Sequence, residues 1–178
     1  MPMNRYFLKT ICTGTSRSFE KGFSLLEVLV AVVVLAVGLL GIGGLQVLSL
    51  KNNHSAHLRS QATYLAYDIL DSIRVNPDGI ASYATLATDA PAANQSCETV
   101  SSNCTTAQLV THDLNIWKCA LGAWDANATC VTLGTRGLLP GGTGVVTITN
   151  GNDVTVTVTW IDDRDGSTTT SLSVSTQI

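Results

Sequence analysis

One carboxylate stands where an apolar stretch begins. In Lys21-Gly22-Phe23-Ser24-Leu25-Leu26-Glu27, Glu27 heads the run Val28 to Leu45, VLVAVVVLAVGLLGIGGL, which has no polar side chain. A carboxylate at mid-membrane depth costs ~2.5–3.5 kcal/mol, so such a residue usually serves a function. Its own helix N-terminus offsets ~0.3–1 kcal/mol of that cost, which explains tolerance but not purpose. The chemistry on offer is pairing with a cation. An α-amine, with a reference pKa of about 7.7–8.0, is largely charged at neutral pH and suits the role.

The remaining reactive residue types read as structural. Of five cysteines, Cys12 precedes the Gly22-Phe23 junction, leaving Cys97, Cys104, Cys119 and Cys130. An even number in a polar, exported domain reads as two disulfides in an oxidising compartment. A zinc site competes, but six and ten intervening residues are not the short C-x₂₋₄-C pairs of zinc ribbons. Three connectivities are open; Cys97–Cys104 with Cys119–Cys130 closes the shortest loops and is the expected pairing. His54 and His57 lie three apart with no third ligand near in sequence, and with His112 they read as ordinary side chains rather than a metal site. Asp162, Asp163 and Asp165 before Gly166 lack calcium-loop spacing and its distal Glu, so a hairpin turn is expected. Trp117, Trp124 and Trp160 read as core, with Trp124, beside Gly122 and Asp125, the one candidate for an exposed adhesive aromatic. There is no glycine-rich phosphate loop, G-x-S-x-G or H-E-x-x-H, so nothing points to an enzyme or a bound cofactor.

These residues need elements to position them. At about 1.5 Å per residue the apolar run makes a helix roughly 27 Å long, near the ~30 Å hydrocarbon core of a bilayer. Arg5, Lys9, Arg17 and Lys21 precede it, which places the N-terminus in the cytoplasm. The run exceeds the 7–15 apolar residues of a secretory signal and has no A-x-A site after it. Residues 1–22 read as a targeting leader. Subtracting their four basic residues and Glu20 from the chain's 10 Lys+Arg and 13 Asp+Glu leaves 6 and 12. That acidic balance argues against a broad nucleic-acid surface.

One helix is expected from Phe23 to about Val75, roughly 80 Å long. About 23–50 would cross the membrane. Gly38, Gly41, Gly43 and Gly44 interrupt this part; they either pack against other membrane helices or loosen the helix. Beyond it, Leu58, Ala62, Leu65, Ile69 and Ile73 form one apolar stripe at spacings of three and four, with Arg59, Gln61, Asp68, Asp71 and Arg74 off it. Asn76-Pro77-Asp78-Gly79 ends the helix. Residues 76–143 are loop-rich and carry the four cysteines. Within them, 107–121 is expected to be a helix packing through Leu109, Leu114, Trp117 and Leu121. Residues 144–178 are β: Val145–Thr149, a hairpin turn at Asn150-Gly151, the period-two Val154–Trp160, and Thr168–Ser175. Val154, Val156, Val158 and Trp160 should face the helix in an antiparallel meander of three or four strands.

Gly22-Phe23-Ser24-Leu25-Leu26-Glu27 opening such a run resembles the class III signal of type IV pilins and pseudopilins. The longer stretch GFSLLEVLVAVVVLAVGLLGIGGLQ is most similar to minor pilins of the PilV kind. The resemblance implies an α+β type IV pilin fold: a long N-terminal helix, half transmembrane and half amphipathic, packed on a C-terminal antiparallel sheet. It implies cleavage after Gly22 by a prepilin peptidase/methyltransferase, N-methylation of Phe23, and pairing of Glu27 with a neighbouring subunit's N-terminal amine. It further implies a single-pass inner-membrane protein with a periplasmic domain, residues 76–178, that later joins the pilus. Its partners would be the inner-membrane assembly platform and other minor and major pilins, and its role pilus assembly, twitching motility and surface attachment. Major pilins of this kind carry a Pro where this chain has Gly44, so a sharp kink is not expected. Three rival readings stay open. A minor pseudopilin of type II secretion shares the opening motif. An adhesin or DNA-uptake module on a pilin stem needs an exposed aromatic or basic patch in 76–143. A single-pass anchor would leave Gly22-Phe23 uncut.

Overall fold

The structure is a computed structural model that describes residues 22–93, 97–98, 103–162, 166 and 168–178. Arg5, Lys9, Cys12, Arg17, Glu20, Lys21, Asp163 and Asp165 lie outside the described residues. The chain divides into two compact units, Met1–Gln46 and Val47–Ile178.

The first unit contains the start of helix α1, which spans Leu25–Val75. Every described residue in it is exposed, including Leu25 at 90% and Leu35 at 65%. Gly38, Gly41, Gly43 and Gly44 do not break the helix, and a Cβ added at any of them would meet nothing within 4 Å.

The second unit is built on the amphipathic part of α1. Leu58, Ala62, Leu65, Ile69 and Ile73 are buried as their spacing requires, and Ala66 and Leu70 widen the stripe. α1 stops at Val75, and a 3₁₀ helix, Pro77–Tyr83, follows at once with Pro at its start. Helix α2, Thr106–Leu121, opens with a reciprocal capping box between Thr105 and Gln108 and closes on Gly122 at φ 116°. A six-residue helix α3, Ala128–Leu133, is capped by Asn127.

Strands β1 (Thr143–Thr149), β2 (Asp153–Ile161) and β3 (Thr169–Gln177) form an antiparallel meander in the order β1-β2-β3. Val154, Val156, Val158 and Trp160 are at most 1% exposed and join the α1 stripe in one core with Tyr83, Trp117, Leu121 and Val146. The Trp117 indole N–H donates to the Leu65 carbonyl at 2.8 Å, fastening α2 to α1. Gly144 makes room for that ring, because a Cβ there would lie 2.3 Å from Trp117 Cη2.

One expectation is corrected in part and one is borne out in finer detail. α2 packs on the core through Val110, Leu114, Trp117 and Leu121, so Leu114, Trp117 and Leu121 stand as expected and Val110 takes the place of Leu109, which is half-buried. Positions 110, 114, 117 and 121 fall closer to one helical face than a set beginning at 109. The β1–β2 hairpin has a three-residue loop, since Thr149 pairs with Asp153. Asn150 and Gly151 both take positive φ, and the Asn150 amide donates to Asp153 Oδ2 at 2.9 Å, holding the wider turn.

Candidate functional site

The candidate site is the start of α1. Gly22, Phe23 and Ser24 precede the helix, and Phe23 is 82% exposed. Ser24 caps it: its carbonyl accepts the N–H groups of Glu27 (3.0 Å) and Val28 (3.2 Å), and its hydroxyl accepts the Leu26 N–H at 3.3 Å. The string Ser24-Leu-Leu-Glu27 has capping-box spacing, a signal in the sequence that assigns Ser24 a role the motif alone does not. Glu27 lies in the first turn, where the helix dipole favours negative charge, and is exposed. Its carboxylate makes no ion pair or hydrogen bond among the described residues. A Cβ at Gly22 would meet nothing within 4 Å, so this chain's own packing does not demand glycine there. The arrangement offers an accessible peptide bond, an accessible Phe23 and a carboxylate one helical turn on, all at the head of an unburied apolar helix.

The other candidates sit in the second unit. Cys97–Cys104 and Cys119–Cys130 are disulfide-bonded. The second bond joins the last turn of α2 to α3, and both of its cysteines are fully buried. His54 and His57 border a shallow cleft with Gln61 and Asp125, and His57 Nε2 lies 3.1 Å from the Gln61 amide nitrogen. Among the described residues no three His, Cys, Asp or Glu side chains are grouped to hold a metal ion. His112 is buried. Trp117 and Trp160 are core, and Trp124 is half-buried.

A polar network that the sequence did not suggest holds the 3₁₀ helix and the following loop to α2. The Tyr83 hydroxyl donates to Asp113 at 2.5 Å, and Asn76 donates to Tyr83 and to the Thr106 carbonyl. Burial, with the Asp113 bond, pushes the Tyr83 phenol far above its ordinary range. Burial also raises the Asp113 carboxyl, helped by Asp68 and opposed by the Tyr83 bond and by His112. Asp68 is raised by burial and by Asp71. Farther along α2, Lys118 donates to the Asp89 carbonyl at 2.7 Å and Asn115 accepts the Ala92 N–H at 2.8 Å. Burial lowers the Lys118 ammonium. A buried lysine inside an otherwise amphipathic pattern leaves no periodicity to read.

Two family models match the chain. One, described as type IV pilin Tt1218, covers residues 44–115. The other, the prokaryotic N-terminal methylation motif, covers residues 17–43 and so contains Gly22, Phe23 and Glu27. Neither the characterised proteins nor the solved structures searched include a match.

Proposed function

The chain belongs to the type IV pilin superfamily, and from that premise we propose that it is a minor pilin of the type IV pilus, nearest the PilV type. Residues 1–22 are its leader. A prepilin peptidase/methyltransferase cuts between Gly22 and Phe23 and methylates Phe23. The protein waits in the inner membrane with its disulfide-bonded domain in the periplasm, then enters the filament beside other pilins and supports assembly, motility and attachment. Its role is structural.

One observation carries this reading. A capped helix start with an unpaired carboxylate leads a helix whose apolar side chains from Leu25 to Leu50 are all exposed in the isolated chain. Such a surface needs lipid, and later other helices, to cover it. Inside a packed, low-dielectric filament, Glu27 opposite a neighbour's charged amine attracts far more strongly than in water, although desolvation offsets part of the gain.

Mass spectrometry of the mature N-terminus tests the processing step, with methylated Phe23 as the expected first residue. Gly22→Val should leave full-length precursor in the membrane. Glu27→Ala should be inserted and cleaved normally, yet sheared pili should contain less of it than of wild type. Normal maturation of Gly22→Val, or equal incorporation of Glu27→Ala, would overturn the corresponding role.

A further inference from the structure

Four Asn-x-Ser/Thr triplets stand in the chain, at Asn53, Asn94, Asn103 and Asn127. In an exported domain this triplet is the acceptor signal for N-linked sugar: the asparagine amide takes the sugar, and the hydroxyl two residues on is read with it. The signal is short, so the surroundings decide. Asn53 lies inside α1, where the Ser55 hydroxyl is committed to Asp162 at 2.8 Å. Asn94 lies outside the described residues. Asn103 is followed by Cys104 of the first disulfide and by Thr105, whose hydroxyl belongs to the α2 capping box. The residues two places before these three are Lys51, Ala92 and Ser101. The fourth triplet alone has a carboxylate there, in Asp125-Ala126-Asn127-Ala128-Thr129, and Asp125 is exposed.

The geometry at Asn127 gives its two side-chain atoms separate tasks. Oδ1 accepts the Thr129 N–H at 2.8 Å and caps α3. Nδ2, the atom that takes sugar, has no hydrogen bond among the described residues. Sugar on Nδ2 therefore leaves the cap intact. A cleft beside α3, lined by Asp125, Val131, Gly134 and Arg136, gives sugar rings room, and Val131, 68% exposed, offers them apolar surface to cover.

We propose that Asn127 is an N-glycosylation acceptor, with the Asp125 charge a second handle by which a transferase with a cationic pocket selects it. The donor is a saccharide joined through pyrophosphate to a membrane lipid. A bond forms between Nδ2 and the sugar's C1, the bond from C1 to the pyrophosphate oxygen breaks, and Nδ2 gives up one proton, which leaves with the lipid pyrophosphate. The timing follows from the fold. In the finished domain the Thr129 hydroxyl donates to the Ala92 carbonyl at 2.7 Å, and Cys130 is bonded to Cys119. α3 has six residues, too few to hold a helix alone. Until the Cys119–Cys130 bond closes, residues 125–129 are open chain that a membrane enzyme can bind, so transfer precedes that bond. The inference rests on the periplasmic placement proposed above.

The test is mass spectrometry of the full-length protein purified from its own cells, reduced and digested with trypsin. The peptide from Cys119 to Arg136 holds Asn127 and no other triplet. It should carry saccharide mass, with fragmentation placing it on Asn127. Asn127→Asp keeps a capping oxygen and should keep the melting temperature, yet lose the sugar. Thr129→Val should lose it and Thr129→Ser retain it. Asp125→Asn keeps an acceptor for the Gly137 N–H and should lower occupancy at least tenfold. Cys119→Ser/Cys130→Ser should carry at least as much sugar as wild type, and a loss there would overturn the order of events. A bare wild-type peptide, or sugar that persists in Asn127→Asp or in Thr129→Val, would overturn the acceptor. Occupancy unchanged in Asp125→Asn would overturn the selecting role of that charge. Protease added to spheroplasts separates this inference from the reading beneath it. A domain cut there with Asn127 bare sinks the acceptor alone; a domain spared with Asn127 bare sinks the periplasmic placement as well.

Discussion

The two ends of α1 are both rich in Leu, Val and Ile, and they meet opposite fates. In Leu25–Gln46 no residue is buried; in Leu58–Ile73 seven are, at 0–3% exposure. What differs is arrangement. The first stretch is apolar on every side and offers no polar face to water. The second keeps its apolar residues to one stripe and shows polar residues elsewhere, so the chain itself supplies the cover. An all-round apolar helix must find its cover in lipid or in other chains. The contrast therefore gives one stretch to the chain's own core and leaves the other to be covered from outside the chain.

The sharpest way to break this contrast is a matched pair of truncations. Leu65→Ala removes a side chain that is 1% exposed and should cost the domain about 2–5 kcal/mol. Leu35→Ala removes one that is 65% exposed and should change unfolding by no more than ~0.5 kcal/mol. Denaturant unfolding of the micelle-bound full chain, followed by tryptophan fluorescence, reads both. Similar losses would mean that the apolar stretch is packed within the chain after all.

The disulfides extend the comparison to the loop-rich segment, which buries less of itself. Cys119–Cys130 closes a separation of 11 residues and Cys97–Cys104 one of 7. Loop entropy assigns each roughly 2–3 kcal/mol, slightly more to the longer loop. The double replacement Cys119→Ser/Cys130→Ser should lose the more, since it also places two hydroxyls in a buried site. Unfolding midpoints of the two double variants rank them, and a larger loss for Cys97/Cys104 would contradict the ranking.

Glycines sharpen the contrast at single-atom scale. Gly144→Ala forces a Cβ against Trp117 and should cost ~1–3 kcal/mol through overpacking. Gly41→Ala meets open space and should favour the helix by up to ~1 kcal/mol. Thermal melts should move in opposite directions, and a common direction would remove the distinction.

What the sequence makes legible follows from periodicity. The stripe Leu58–Ile73 and the alternation Val154–Trp160 are long repeats with one buried side, so their environment is written in their spacing. The Ser24–Glu27 start was legible through motif chemistry. The 3₁₀ helix Pro77–Tyr83 and the six-residue α3 are too short to establish a period. Val110 displaced Leu109 from the core because the rotation of α2 is fixed by Trp117 reaching the Leu65 carbonyl, a contact across 52 residues. The burial of Lys118 likewise depends on where the Asp89 carbonyl arrives from another part of the chain.

The smallest expected effect concerns the polar side of the same amphipathic stretch. Asp68 on α1 faces Asp71 on its own helix and Asp113 on α2; Asp113 also meets Tyr83 and His112. Burial and neighbouring carboxylates raise both Asp68 and Asp113 above their ordinary value of 3.8. The folded state therefore binds these protons more tightly than the unfolded state. Their contribution to stability is fully present below the unfolded value and is lost as pH rises through the raised folded values. So the domain should gain stability as pH falls from neutral toward 4, before the other carboxylates reverse the trend. Asp68→Asn removes one of the repelling charges without removing a hydrogen bond to Tyr83. Because Asp68 is desolvated only on the side that packs and solvent screens the rest of it, the gain at neutral pH should stay under ~0.5 kcal/mol. The clearer readout is the slope: unfolding free energy against pH should be flatter in Asp68→Asn than in wild type between neutral pH and 4. An unchanged slope would mean that Asp68 and Asp113 do not sense each other across the α1–α2 groove.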